Sequence, residues 1–165
     1  MGEHQEIRKS PREVLHLLEK EGKYVFHGSA NVIDELEPRI GEEYDPESGI
    51  KKSDEHPAVY ATVYADVATF RAIVSKNNLR GIDCYSSFGA DIDGKLKFEI
   101  SKGVLEKLKE RGVRGFVYIL SKDDFIKTGV LESKSIIKIK PLKRIEVSVD
   151  DLPENIEIIE KSQAK

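Results

Sequence analysis

Residues 23–29 have the sequence KYVFHGS, in which a β-rich run ends in a histidine, a glycine and a small hydroxyl. Tyrosine, valine and phenylalanine favour an extended strand, and the Gly28-Ser29 pair favours its end. We therefore predict a strand over residues 23–27 and a short helical segment over 31–36. Glycine lets a flat ring approach the backbone, and its N–H and C=O can then pair with a planar polar group. The stretch thus predicts one wall of a ligand-binding cleft.

Helices with clear start and stop signals are predicted on both sides of this stretch. Residues 10–13 (SPRE) are typical of a capping box with proline in the first turn, and the helix that follows ends at Gly22. A second helix, capped by Asp66, carries apolar residues at helical spacing. Ser101 is predicted to cap a third helix, which ends at Gly112.

Short apolar runs separated by turn formers are predicted as strands. They lie at 58–62, at two or more positions within 79–100 around a turn at 91–94, and at 115–120, 130–139 and 145–149. Residues 40–57 lack apolar periodicity, so we predict a loop that is mobile without ligand, and the charged segment after residue 150 is expected to fray. Neither the βαβ rhythm nor the glycine-rich loop of a Rossmann sheet is found. The predicted class is α+β with a split mixed sheet.

The composition fits a single domain over residues 1–165. The chain has 27 basic and 30 acidic side chains, and the net charge of -3 gives no general attraction to nucleic acid or lipid. Cys84 is the one cysteine, which excludes an internal disulfide and is typical of a reducing compartment. No apolar run is long enough for a membrane span, and the other histidines lack metal-ligand spacing. We expect a cytoplasmic protein with neither membrane contact nor a metal site.

Three further motifs follow the HGS stretch along the chain. Residues 36–39 are LEPR, residues 59–62 are VYAT before an alanine-containing helix, and residues 131–134 are LESK before a closing strand at 142–147. In this order the motifs resemble the ADP-ribosyltransferase superfamily, in the H-Y-E branch of the poly(ADP-ribose) polymerases and diphtheria-toxin-like enzymes. The resemblance implies an ADP-ribosyltransferase-like split sheet, with NAD as the substrate.

The resemblance also implies roles for individual residues. Gly28 would bind the nicotinamide carboxamide through its backbone N–H and C=O, and Ser29 would add a polar contact. His27 would form a hydrogen bond with a ribose hydroxyl. Tyr60 would stack on the nicotinamide ring. Glu132 would bond the hydroxyls of the nicotinamide ribose and stabilise the positive charge that develops as the glycosidic bond breaks. ADP-ribose would then pass to a protein or nucleic-acid acceptor.

The resemblance implies roles for two further residues, and one position departs from the pattern of a related toxin class. Arg39 would pair with a pyrophosphate oxygen, since a guanidinium suits that anion. Phe70 would replace the second stacking tyrosine of the polymerases. Val130 stands where the arginine-modifying toxins carry an acid, which argues against that acceptor class.

The sequence leaves two alternatives open on the same fold. One resembles the NAD-dependent RNA 2'-phosphotransferases, for which Arg39 and Arg71 would supply basic contacts in the cleft. The other is a module that binds NAD or ADP-ribose without turnover, in which Glu132 would be a solvated strand residue. A basic cluster (Lys138, Lys140, Lys143 and Arg144) indicates either a solvated sheet face or contacts to RNA phosphates.

Overall fold

The fold is described by a computed structural model of the chain. It describes residues 9–40, 42–44, 51–53 and 56–160, with the backbone alone at 42–44 and 51–53. The helices of this part are α1 (Pro11–Glu21), α2 (Ala65–Ile73) and α3 (Val104–Arg111). Its strands are β1 (Tyr24–Ser29), β2 (Glu42–Tyr44), β3 (Lys51–Ser53), β4 (Val59–Ala61), β5 (Ser86–Ala90), β6 (Leu96–Ser101), β7 (Arg114–Ser121), β8 (Ile126–Lys127), β9 (Ser133–Ser135), β10 (Lys143–Ser148) and β11 (Ile156–Ile159). This mixture confirms the predicted α+β class.

The strands form small sheets rather than one large sheet. β1 and β10 flank β7 in one antiparallel sheet, and β4 and β8 flank β9 in another. β6 lies between β5, which is antiparallel to it, and β11, which is parallel to it. A bridge between Phe26 and Thr62 joins β1 to the residue that follows β4. The bridge brings the HGS stretch next to Tyr60.

Helix α2 packs against one face of the β1-β7-β10 sheet. Its Ile73 is buried in one cluster with Phe26 of β1 and Val117 of β7. Because side chains alternate along a strand, Val25 and Tyr118 enter a second cluster on the other face. The two faces of β1 thus belong to two different parts of the core.

Two strand glycines allow α2 to lie close to this sheet. A Cβ on Gly28 would lie 1.9 Å from the carbonyl oxygen of Ala68, and one on Gly115 would lie 2.6 Å from that of Ala72. Both are contacts with helix backbone, which no side-chain rotation can relieve. The close packing of α2 on β1 therefore requires glycine at position 28, independent of any role of Gly28 in binding.

Gly28→Ala is expected to destabilise the fold by about 2 kcal/mol, because α2 must shift to admit the added methyl group. Gly89→Ala in β5 is the matched control, since a Cβ there meets nothing within 4 Å. Urea unfolding of the two variants measures the difference. Equal unfolding free energies would contradict this packing of α2 on β1.

Helix α1 begins and ends as predicted. Ser10 accepts a hydrogen bond from the amide of Glu13 at 3.2 Å, and Gly22 follows the helix with a φ of 70°. Gly112 likewise ends α3, with a φ of 63°. The turn at 91–94 and the strand at 115–120 are also found, as the connection between β5 and β6 and as β7.

Asp66 anchors α1 instead of capping α2. Tyr64 is the residue at the N-cap, and Asp66 lies in the first turn. Arg12 of α1 donates two hydrogen bonds of 3.1 Å to the Asp66 carboxylate, and Nε2 of His16 lies 2.8 Å from the same group. The predicted capping role of Asp66 is therefore wrong, because its side chain is occupied by the neighbouring helix.

Residues 31–36 are not helical, which corrects the prediction for this segment. The buried hydroxyl of Tyr118 donates to the carbonyl of Asn31 and accepts from the amide of Ile33, both at 2.6 Å. A tertiary contact from β7 thus holds the backbone groups that a helix would have paired locally.

Several strand boundaries also differ from the predictions. β1 continues through Gly28 and Ser29, which pair with β7. Ser101 lies in β6 rather than at a helix start, and Gly103 precedes α3. The predicted strand at 130–139 is limited to β9, with Glu132 in the turn before it.

The segments predicted as a loop and as a fraying end both contain strands. β11 pairs in parallel with β6, so residues 156–159 join a sheet. β2 and β3 pair with each other inside the predicted loop, and residues 41, 45–50 and 54–55 of that loop lie outside the described residues. Within the described ranges, no helix is long and apolar enough to cross a membrane.

Candidate functional site

A cavity of about 210 Å³ lies where the end of β1, strand β4 and helix α2 meet. Its wall brings together His27, Gly28, Tyr60 and Glu132, although these residues come from distant parts of the chain. The other lining residues are Phe26, Ala61, Thr62, Ala68, Arg71, Phe88 and Leu131. We call this space the central cavity.

Two larger cavities adjoin the central cavity, and both are lined by Ser29 and Asn31. The polar groove, of about 630 Å³, lies between α2 and β5 and shares Gly28, Arg71 and Phe88 with it. The outer cavity, of about 590 Å³, is lined by residues 31–37 and shares His27 and Tyr60. The three spaces together form a cleft long enough for more than a single ring.

The backbone of Gly28 faces the central cavity with one donor and one acceptor. Phe26, two residues earlier, exchanges hydrogen bonds of 2.7 and 2.9 Å with Thr62, so its backbone groups point away from β7. Backbone groups alternate in direction along a strand, and those of Gly28 therefore point to the same side. Beyond the Phe26–Thr62 bridge, none of the described residues pairs with Gly28 on this side.

His27 is held in one tautomer by its neighbour. Its Nδ1 lies 2.7 Å from the carbonyl oxygen of Tyr60, and a carbonyl only accepts, so Nδ1 carries the proton and donates. Burial, together with the positive charges of Arg71 and Arg39, lowers the pKa of His27 from 6.5 to about 4. The ring is thus neutral at neutral pH, and Nε2 is a hydrogen-bond acceptor.

The lowered pKa of His27 predicts that the stability of the fold depends on pH. The unfolded chain binds a proton on His27 below pH 6.5, whereas the folded chain does so only near pH 4, so stability falls as the pH drops through this window. The loss between about pH 7 and pH 5 is expected to be up to about 2 kcal/mol, because His27 keeps some solvent contact.

Urea unfolding at the two pH values measures this loss in the wild type and in His27→Gln. The glutamine amide still reaches a carbonyl but does not titrate, so the variant should lose less stability on acidification. An equal loss in both proteins would show that other groups are responsible.

Tyr60 presents its ring to the cavity from β4. The ammonium of Lys134, its cross-strand partner on β9, lies 5.1 Å from the ring centroid. The Tyr60 hydroxyl is buried and has no hydrogen-bond partner among the described residues. A buried hydroxyl without a partner costs roughly 1 to 3 kcal/mol of folding free energy.

Glu132 reaches the cavity from the tight turn before β9. The hydroxyl of Thr128 donates to its Oε1 at 2.9 Å, and Nζ of Lys134 lies 3.7 Å from the same atom. The side chain of Glu132 is 42% exposed, so the carboxylate remains accessible to a ligand. The turn and these partners hold an accessible carboxylate in the wall of the cavity that Gly28 also lines.

The remaining predicted residues lie around the central cavity rather than in it. Ser29 lines both flanking cavities, and Arg39 lines the outer cavity. Phe70 is only 2% exposed, because it packs on Phe98 at 5.1 Å between ring centroids. The structure thus does not bring Phe70 to the central cavity.

Phe88 lines the central cavity without having been predicted from the sequence, whereas Arg71 is predicted in the cleft only by the RNA 2'-phosphotransferase alternative. Phe88 is 37% exposed on β5, and the guanidinium of Arg71 lies 5.8 Å from its ring centroid. One signal for Phe88 was available, since it is the single large side chain in the run SSFGA. Arg71 lies one helical turn after Ala68, which contacts Gly28, and that proximity depends on the tertiary packing.

The described residues hold no group of three or more His, Cys, Asp or Glu that could bind a metal. The chain was compared with protein-family models, with curated proteins and with solved structures, and none matched. A functional assignment therefore depends on the geometry of the cleft.

Proposed function

We propose that the chain is an NAD-dependent ADP-ribosyltransferase, which transfers ADP-ribose to a macromolecular acceptor and releases nicotinamide. The observation that carries this proposal is the N–H and C=O of Gly28, which have no partner among the described residues and face a cavity lined by Tyr60 and Glu132. A carboxamide has one acceptor and one donor in the same plane, so it matches this pair of backbone groups. The central cavity has room for one such ring and its ribose.

Each remaining contact follows from the chemistry of the dinucleotide. Tyr60 offers an aromatic face to the nicotinamide ring. Nε2 of neutral His27 accepts a hydrogen bond from a ribose hydroxyl. The ADP part extends into the outer cavity, where Arg39 would pair with the pyrophosphate and Ser29 would add a hydroxyl, in a lining that also includes the carboxylates of Asp34, Glu35 and Glu37.

The reaction breaks the bond between C1' of the ribose and the ring nitrogen of nicotinamide. The bonding electrons leave with nicotinamide, which becomes neutral, and positive charge develops on the ribose. The carboxylate of Glu132 stabilises that charge and binds a ribose hydroxyl, and an acceptor lone pair then forms the new bond to C1'. A hydroxyl or amine acceptor loses its proton to solvent.

The charge of the central cavity favours this reaction over transfer of an RNA phosphate. Arg71 is the one cation among its described lining residues, and it faces the carboxylate of Glu132. A site for a 2'-phosphate needs several cations.

The proposal is tested with NAD labelled in the nicotinamide or in the adenylate part. The wild-type chain should release the first label and transfer the second to macromolecules of a cell lysate or to RNA. Binding without release would support the module that binds NAD without turnover. Absence of both binding and release would contradict the proposal.

A further inference from the structure

β5 is an edge strand whose free side faces the polar groove. It stands at the end of the order β11-β6-β5, and its Ser86, Ser87 and Phe88 line the groove. Such an edge offers a row of backbone donors and acceptors to an added strand.

The register of β5 identifies which of its backbone groups have no strand partner in the described part of the chain. The amide of Ser101 donates to the carbonyl of Tyr85, and the amide of Asp91 donates to the carbonyl of Lys95. Residues 85 and 91 therefore face β6, and by alternation so do residues 87 and 89. The N–H and C=O groups of Ser86, Phe88 and Ala90 point outward.

This edge lacks the features that normally prevent strand addition. The run SSFGA contains no charge and no proline, and a Cβ on Gly89 would meet nothing within 4 Å. Natural edge strands are commonly guarded by lysine, proline or a bulge. Small side chains allow another backbone to approach β5.

The opposite wall of the groove is positively charged. Arg71 and Lys76 lie among its lining residues, which include no carboxylate in the described part of the chain. The partial negative charge of the α2 C-terminus is reduced by Asn78, whose side-chain amide donates to the carbonyls of Ala72 and Ile73. An acidic segment would thus be favoured beside β5.

We propose that the polar groove binds an extended, acidic peptide segment of the acceptor protein, which adds as a strand to the free edge of β5. This inference rests on the proposed function and names the acceptor class for it. Main-chain hydrogen bonds to Ser86, Phe88 and Ala90 supply affinity, and Arg71 and Lys76 select acidic side chains. A peptide fits this edge better than a nucleic acid does, because the outward N–H and C=O groups of Ser86, Phe88 and Ala90 have the spacing of a β-strand and can pair with a second strand.

The same arrangement brings the acceptor to the reacting bond. Phe88 and Arg71 line both the polar groove and the central cavity, so a side chain of the added strand beside Phe88 points toward the ribose. A carboxylate oxygen of this side chain forms the bond to C1' as the bond to nicotinamide breaks. No proton is lost from a carboxylate acceptor, and nicotinamide leaves as the neutral molecule.

The test begins with selection of random displayed peptides on the full chain in the presence of NAD. Amide hydrogen exchange is then followed with and without a selected peptide. The amides of Ser86, Phe88 and Ala90 should exchange fast in the free chain and become protected by the peptide. The amides of Ser87 and Gly89 face β6 and should be protected in both states.

Charge and backbone variants complete the test, with binding measured by fluorescence polarisation. Lys76→Glu should weaken a selected peptide about tenfold or more, whereas Lys107→Glu on α3 should not. Ala90→Pro removes one outward N–H and should weaken binding similarly, whereas Ala90→Ser should not. The exchange result in the wild type stands even if the proline variant fails to fold.

Selected peptides without an acidic excess, or no protection of residues 86, 88 and 90, would overturn the proposal. Protection by a single-stranded oligonucleotide but by no peptide would overturn it as well. NAD titration of the same samples separates the two claims. If NAD binds and no peptide protects β5, this inference fails alone, and if NAD does not bind, the proposed function fails.

Discussion

Glu132→Gln is expected to reduce the kcat for nicotinamide release by about 10²- to 10³-fold while leaving the Kd for NAD nearly unchanged. The reason is that the carboxylate opposes positive charge that exists only as the glycosidic bond breaks. Glutamine keeps an oxygen that can accept from the Thr128 hydroxyl, so the turn before β9 is preserved. Calorimetric binding of NAD and the rate of nicotinamide release measure the two effects separately.

Glu146→Gln is the matched control for this variant. Glu146 is an exposed acid on β10 that pairs with Arg114, and it does not line the three cavities of the cleft. Its substitution should change neither rate nor binding. A Glu132→Gln variant with wild-type turnover would remove Glu132 from the mechanism.

Tyr60→Ala is expected to weaken NAD binding by roughly 1 to 3 kcal/mol, which corresponds to about a 5- to 150-fold higher KM. The lost ring contact exists before the bond breaks, so ground state and transition state are weakened alike and kcat changes little. This pattern is the opposite of that expected for Glu132. Steady-state kinetics of nicotinamide release distinguishes the two.

Tyr60→Phe is the control that isolates the ring. It keeps the aromatic face and removes a buried hydroxyl that has no partner among the described residues, so KM should stay near the wild-type value. The unfolding free energy should rise by about 1 kcal/mol. A large increase in KM with phenylalanine would mean that the hydroxyl, rather than the ring, binds the ligand.

The sequence predicted part of the central cavity because some of its residues lie in or beside runs with recognisable strand signals. His27 and Gly28 follow a β-rich run, and Tyr60 lies in a short apolar strand. The packing requirement for glycine at position 28 could not be predicted, since it depends on the carbonyl of Ala68 in α2, which is distant in the chain. A single glycine thus serves both helix packing and the wall of the cleft.

Tertiary contacts explain where the predictions failed. The segment at 31–36 has local helix potential, but the Tyr118 hydroxyl from β7 holds its backbone in another conformation. β11 was missed because its pairing with β6 is non-local, although the run IEII is apolar. Arg71 and Phe88 meet at the cavity through the packing of α2 against β5, which no local pattern specifies.

Two dinucleotides that differ at the carboxamide test its proposed pairing with the Gly28 backbone. Nicotinic acid adenine dinucleotide differs from NAD by a carboxylate in place of the carboxamide. The carboxylate has no donor for the Gly28 carbonyl and places negative charge against it, so its affinity should be about a hundredfold lower.

Calorimetric titration of the wild-type chain with both dinucleotides gives the result. We expect NAD to bind and the nicotinic acid analogue to bind about a hundredfold more weakly or not measurably. Equal affinity for the two dinucleotides, or no binding of NAD, would rule out recognition of the carboxamide by Gly28.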